Sequence, residues 1–342
     1  MNGTKKRIYW VDSMKAIGIF SFYLAHMPFE TDKLYMFLYT FNVIVFVFAS
    51  GALAKKSSEM PLKEFIIRKV KQILVPYFTL GAFNIAVRAF CLNAELSEII
   101  FWARQLIKGQ RNNIFAVAMW FLPCIFCISV IYHILQKSIK NKWVLLAVCT
   151  IASLVIRFAI EGPQWWWSID SAIRYLFYYA LADCSAEHIE NFSFNKLGRV
   201  QKAFFSIATF LAFAIFALYY QFGRGYFPSL AHIELGFHGQ IVEMIALTVI
   251  SLYCILVISK YLEHIPVLQK IGSVSLALCI AEMPVKLIVP TAFEAIGLQM
   301  QYTTPMHSVV CCIIFLLAGY YGMAMPIQKY FPCLLGRKSR TG

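Results

Sequence analysis

The chain has 342 residues, of which 60% are hydrophobic and only 14% charged, and its mean hydropathy is +0.66. That composition excludes a soluble globular domain and describes a single membrane domain over residues 1–342. The net charge of +14 would suit a nucleic-acid binder, but its distribution along the chain argues for membrane topology instead.

Ten apolar runs, each of about 20 residues, predict an all-α polytopic bundle. They cover 8–28, 35–54, 72–92, 114–135, 143–160, 169–187, 203–221, 241–259, 271–290 and 307–325. With a cytoplasmic N-terminus, 21 Lys and Arg fall in inside segments and five in outside segments. Positive charge collects on the cytoplasmic side, so both termini are expected there, in a plasma (inner) membrane. The first run reads as a span and not as a cleavable leader, because it carries charges and leads into further spans. The ten cysteines are scattered through apolar runs. Cys124 and Cys127 lack a second pair nearby and read as small buried hydrophobes, so no metal set is expected.

The first run holds Asp12, Lys15 and His26, three ionisable groups where hydrocarbon is expected. At about 100° per residue, Lys15 and His26 return to within about 20° of each other, and Asp12 lies about 40° from His26. They share one face, with Lys15 and His26 roughly 16 Å apart along the axis. A polar stripe of this kind normally faces a bundle interior and marks a substrate path, although a lone intramembrane His is also a common packing residue.

Asp12-x-x-Lys15-x(10)-His26 resembles the signature of the acyltransferase-3 family of multi-pass membrane O-acyltransferases, in which Arg or Lys precedes the His by this interval. Further motifs extend the resemblance along the chain. The second run ends Phe46-Val-Phe-Ala-Ser50-Gly51, where the family has a Phe-rich run closing on Ser-Gly; close helix packing explains the same residues. The loop from Lys55 to Lys71 is the most basic in the chain and leads into Leu74-Val-Pro76-Tyr77. It is the strongest topology signal, and Arg68 and Lys71, three apart, also suit a phosphate clamp.

Residues 93–110 show helical spacing of apolar residues, with Asn93 as a cap at the start and Gly109 at the end, as for a helix lying in the outer interface. Trp120-Phe-Leu-Pro123 is similar to a family run, and also reads as an interfacial Trp with a tolerated proline. Trp165, Trp166 and Trp167 read as an aromatic belt, with stacking on a sugar ring as the alternative. In the sixth run Asp170 and Arg174 are spaced to neutralise each other, while Asp183 stands where the family usually has a small residue. The ninth run begins Gly272-Ser-Val-Ser275-Leu276, similar to a late family motif that continues to a Tyr and a His-x-Pro. Here Cys279 replaces that Tyr and Glu282 stands at the His, with Lys286 four residues on.

The resemblance implies O-acyl transfer, with acetyl-CoA as the acyl donor and a hydroxyl of a cell-envelope sugar or lipid-linked glycan precursor as the acceptor. No bound cofactor and no nucleic-acid partner is expected. His26 is the side chain suited to take a proton near neutral pH, or to carry the acyl group itself. Asp12 and Lys15 are expected beside it, Arg68 and Lys71 at the donor phosphates, and Ser50, Trp120 and Glu282 at the substrate. A secondary transporter also needs charged residues in its spans, but repeated halves and interrupted helices at matching positions are not seen. A non-catalytic glycan binder is a third reading, in which His26 is replaceable.

Overall fold

The computed structural model describes residues 7–27, 32–116, 118–160, 162–222 and 236–335. The chain is an all-α polytopic membrane protein. Its helices are α1 (Tyr9–Ala25), α2 (Asp32–Tyr39), α3 (Asn42–Gly51), α4 (Leu62–Lys69), α5 (Val75–Leu92), α6 (Leu96–Lys108), α7 (Phe121–Ser138) and α8 (Lys142–Ala159). They continue with α9 (Ile169–Asn191), α10 (Arg199–Phe222), α11 (Phe237–Tyr261), α12 (Pro266–Ser273), α13 (Ser275–Ala295), α14 (Pro305–Gly319) and α15 (Met325–Tyr330).

Eight helical stretches among the described residues are long and apolar enough to cross a membrane, and they match eight of the ten predicted runs. The other two runs, 8–28 and 169–187, form α1 and α9, which are the inner helices. α1 is buried from Trp10 to Ala25 on nearly every face and packs against α3, α11, α12, α13 and α14. α9 carries Asp170, Arg174, Asp183 and Glu187 and packs against α3, α7 and α8. A helix enclosed by other helices need not present an apolar face to lipid, so its sequence can be polar. α10 is the opposite case, strongly apolar beyond its first turn and with only Tyr219 buried.

Two glycines set the closest crossings. A Cβ at Gly272 would lie 1.9 Å from the Asp12 carbonyl oxygen, and one at Gly51 would lie 2.3 Å from the Tyr179 carbonyl oxygen. Both positions require glycine because backbone meets backbone there, as in small-residue contacts between membrane helices.

Prolines explain most irregularities of the helices. A π turn at Val70–Leu74 joins α4 to α5 just before Pro76, and a second at Tyr320–Ala324 joins α14 to α15 just before Pro326. The wider turn accommodates a residue that lacks an N–H and crowds the preceding turn. Within α13, Pro284 cannot donate to the carbonyl of Ile280. Asn84 of α5 does so instead, its Nδ2 donating to that oxygen at 2.9 Å. The predicted run 35–54 is broken at Thr40 and Phe41 into α2 and α3. There the Thr40 carbonyl accepts from Thr248 Oγ1 at 3.3 Å.

Two boundaries differ from expectation. Asn93 is the left-handed C-cap of α5, with φ of 50°, and α6 starts from a Glu95–Glu98 capping box. Gly109 ends α6 with φ of 54°, as its position predicts. The predicted run 114–135 becomes helical only at Phe121, and the turns ahead of it help to form the site.

Candidate functional site

His26 caps the C-terminal end of α1, where the helix leaves the core. Its Nε2 lies 2.9 Å from the Tyr39 hydroxyl, and Phe22 meets its ring edge-to-face at 4.3 Å. Nδ1 is buried and faces Glu282 Oε1 at 3.3 Å. That carboxylate also accepts from the Lys286 ammonium one turn along α13, and the same ammonium donates to the His26 carbonyl. His26 and Glu282 side chains are 11% and 5% exposed, so the imidazole and its carboxylate are held almost out of solvent. The i, i+4 spacing of Glu282 and Lys286 puts both on the face of α13 turned toward α1.

Two cavities meet this region. The first, about 340 Å³, is lined by His26 and Tyr39 together with Trp120, Arg111, Arg157 and Arg174. Trp120, whose buried ring lies under the Arg111 guanidinium at 4.7 Å, forms one wall. The second, about 360 Å³, lies toward the N-terminal half of α1 and is lined by Lys15, Lys69, Ser50, Gln72 and Ser275. Phe46 and Phe121, with rings 5.8 Å apart, line the second cavity, while Val43, one turn before Phe46, and Trp120, adjacent to Phe121, line the first. α13 runs past both, with Cys279 on the second cavity and Glu282 against His26 three residues later.

The expected residues divide accordingly. His26 and Trp120 line the first cavity, with Glu282 behind His26, and Lys15 and Ser50 line the second. Asp12 stands apart from His26, at the opposite end of α1. There it accepts from Arg7 Nε at 2.5 Å, and Arg7 also donates to the Gln269 carbonyl at 2.8 Å. A shared helical face did not bring Asp12 to His26 because the two are four turns apart; the carboxylate at the imidazole is Glu282. Lys71 is exposed, and the neighbouring Lys69 lines the second cavity. The π turn that starts at Val70 breaks the i, i+3 face that Arg68 and Lys71 would share on a regular helix. Arg68 lies over the Phe65 ring at 5.5 Å, and that ring stacks on His133 at 4.0 Å.

The Asp170–Arg174 pair is also replaced. Asp170 accepts from the backbone N–H groups of Gln164, Trp165 and Ser171, which fixes the Trp-rich loop onto α9. Arg174 donates to the carbonyls of Ile160 and Gly162. Asp183 has a structural partner, Tyr132, whose hydroxyl donates to it at 2.8 Å. Trp165 and Trp166 are exposed, and neither lines the two cavities. Away from the site, Lys55 and Glu187 pair at 2.8 Å, and the carboxylate raises the pKa of the Lys55 ammonium. Tyr39, Lys69 and Arg111 are among the lining residues that sequence reasoning did not single out. The only signal for Arg111 was its charge beside an apolar run.

A family model described as an acyltransferase domain matches residues 8–324. No curated protein and no solved structure matches the chain.

Proposed function

Because the chain belongs to the acyltransferase-3 family, we propose that it transfers an acetyl group from acetyl-CoA to a hydroxyl of a cell-envelope sugar, with His26 as the base. The observation that carries this reading is the imidazole placed at one cavity, backed by a buried carboxylate, with a second, lysine-lined cavity behind it.

With Nδ1–H directed at Glu282, Nε2 is the nitrogen free to accept a proton. Tyr39, 2.9 Å from Nε2, marks the position from which an alcohol reaches it. As the acceptor oxygen attacks the thioester carbonyl, its proton passes to Nε2. The C–S bond then breaks and the thiolate leaves with that proton as the free thiol. Glu282 orients the ring and stabilises the imidazolium that forms, the role of the acidic member in hydrolytic triads. Lys15 and Lys69 supply positive charge for the donor's phosphates, and Phe46 and Phe121, whose rings are in contact at 5.8 Å, must part to let the narrow arm of the donor reach the base.

His26→Gln tests this directly, since it keeps polarity and approximate size but cannot take a proton. Acetyl transfer should fall by about 10²–10⁴-fold, the usual contribution of a positioned base, with unchanged protein level. Near-normal transfer by a folded His26→Gln protein would return His26 to a packing role.

A further inference from the structure

We infer that the His26 cavity takes an acceptor bearing an oxyanion, a carboxylate or phosphate group, next to the hydroxyl that is acylated; the inference rests on the acyl-transfer reading above. Three guanidinium groups, those of Arg111, Arg157 and Arg174, line this cavity, and no Asp or Glu is among its described lining residues. The hydrogen bonds these arginines make go to neutral groups. Arg111 donates to the Tyr175 hydroxyl at 2.7 Å, Arg157 to the Arg174 carbonyl at 3.1 Å, and Arg174 to the Ile160 and Gly162 carbonyls. Asp170, one turn from Arg174, lends that guanidinium a negative charge, but its carboxylate is hydrogen-bonded to three backbone N–H groups and to none of the three arginines.

Burial sharpens the requirement. Arg157 is only 8% exposed, and the Nε atoms of Arg157 and Arg174 are buried without a hydrogen-bond partner. A buried cation is costly unless an anion neutralises it. A guanidinium presents its donors in a planar fork that fits the two oxygens of a carboxylate or phosphate. Cations inside membrane segments tend to mark substrate paths. The donor's own phosphates are the rival anion, but Lys15 and Lys69 offer charge for them in the other cavity. Trp120, with the Arg111 guanidinium over its ring at 4.7 Å, holds that cation in place at the cavity wall, where it can meet an acidic group.

The test uses the full-length protein in detergent, titrated with methyl glucuronide, glucose 1-phosphate and neutral methyl glucoside while thermal stability is followed. One acidic sugar should stabilise the protein at a concentration about 10- to 100-fold lower than the neutral one, the contribution of one charge-assisted hydrogen bond. Which acidic sugar wins distinguishes a carboxylate source from a phosphate source. Arg157→Gln should remove most of that difference and Arg157→Lys should keep part of it. Arg111→Gln gives the same readout at a less buried position if Arg157→Gln does not fold. Equal stabilisation by acidic and neutral sugars, stabilisation by none, or an undiminished preference in these variants overturns the inference. Acetyl transfer from acetyl-CoA, measured in parallel, separates the two readings. Transfer without anion preference leaves the acyltransferase reading standing, and anion preference without transfer to any sugar leaves only the anion site.

Discussion

Glu282→Gln is the most informative single change, because Glu282 touches both the base and a buried lysine. The substitution keeps size and hydrogen-bonding capacity and removes one negative charge 3.3 Å from His26 Nδ1. At an effective dielectric of about 20, a unit charge at that distance stabilises a developing imidazolium by at most about 5 kcal/mol. Lys286 sits on the same carboxylate oxygen and offsets part of this. Taking roughly half leaves about 2.5 kcal/mol, which corresponds to a loss of about 10²-fold in kcat/KM. The variant also leaves the Lys286 ammonium, 20% exposed, beside the imidazole with no carboxylate. That unpaired cation repels the imidazolium and destabilises the fold by about 3–5 kcal/mol. Adding Lys286→Met to Glu282→Gln should therefore recover stability and part of the lost rate, which a double-mutant cycle measures. Transfer kinetics and melting temperature of the three variants provide the assay. A double variant no better than Glu282→Gln alone, or a Glu282→Gln protein with near-normal kcat/KM, would refute the assignment of Glu282 to the base.

Three further outcomes follow from the geometry. Lys69→Ala should raise the half-saturating acetyl-CoA concentration by about 10-fold, while Lys71→Ala, at an exposed position, should leave it unchanged; a donor titration of each decides. Asn84→Ala strands the Ile280 carbonyl and should cost about 1–3 kcal/mol, seen as a lower melting temperature, and Pro284→Ala should reduce that cost by restoring a backbone donor to the same oxygen. The charge bias predicts α6 outside, so Arg104→Cys, with the exposed Cys91 and Cys333 replaced, should react with an impermeant reagent in intact cells; labelling only after permeabilisation would reverse the topology.

The sequence by itself determined the class of fold, because a helix that faces lipid must satisfy its backbone internally and present apolar side chains, and both requirements leave a local record. Eight of the ten predicted runs were legible for that reason. His26 and Lys15 were legible too, since ionisable groups within one apolar helix stand out against their neighbours, and their spacing resembled a family signature. The inner helices were the harder case. α1 and α9 are shielded by protein, so their polar residues carry no sign of which partner they meet. From sequence, Asp12 was expected beside His26 and Glu282 at the substrate, and nothing local said which carboxylate the imidazole meets. Only the packing of α13 against α1 decided it, because their separations from His26 along the chain are 14 and 256 residues. The swap of Lys71 for Lys69 and the spent hydrogen bonds of Asp170 have the same origin. One π turn rotates every side chain beyond it, and a loop returning to its own helix claims a carboxylate that spacing had assigned elsewhere. Arg111, Arg157 and Arg174 come from three separate segments, and each alone reads as a topology charge or a structural residue. Their convergence on one cavity is a property of tertiary structure, because the free energy of a cation depends on which groups surround it, and the order of residues along the chain leaves those groups open.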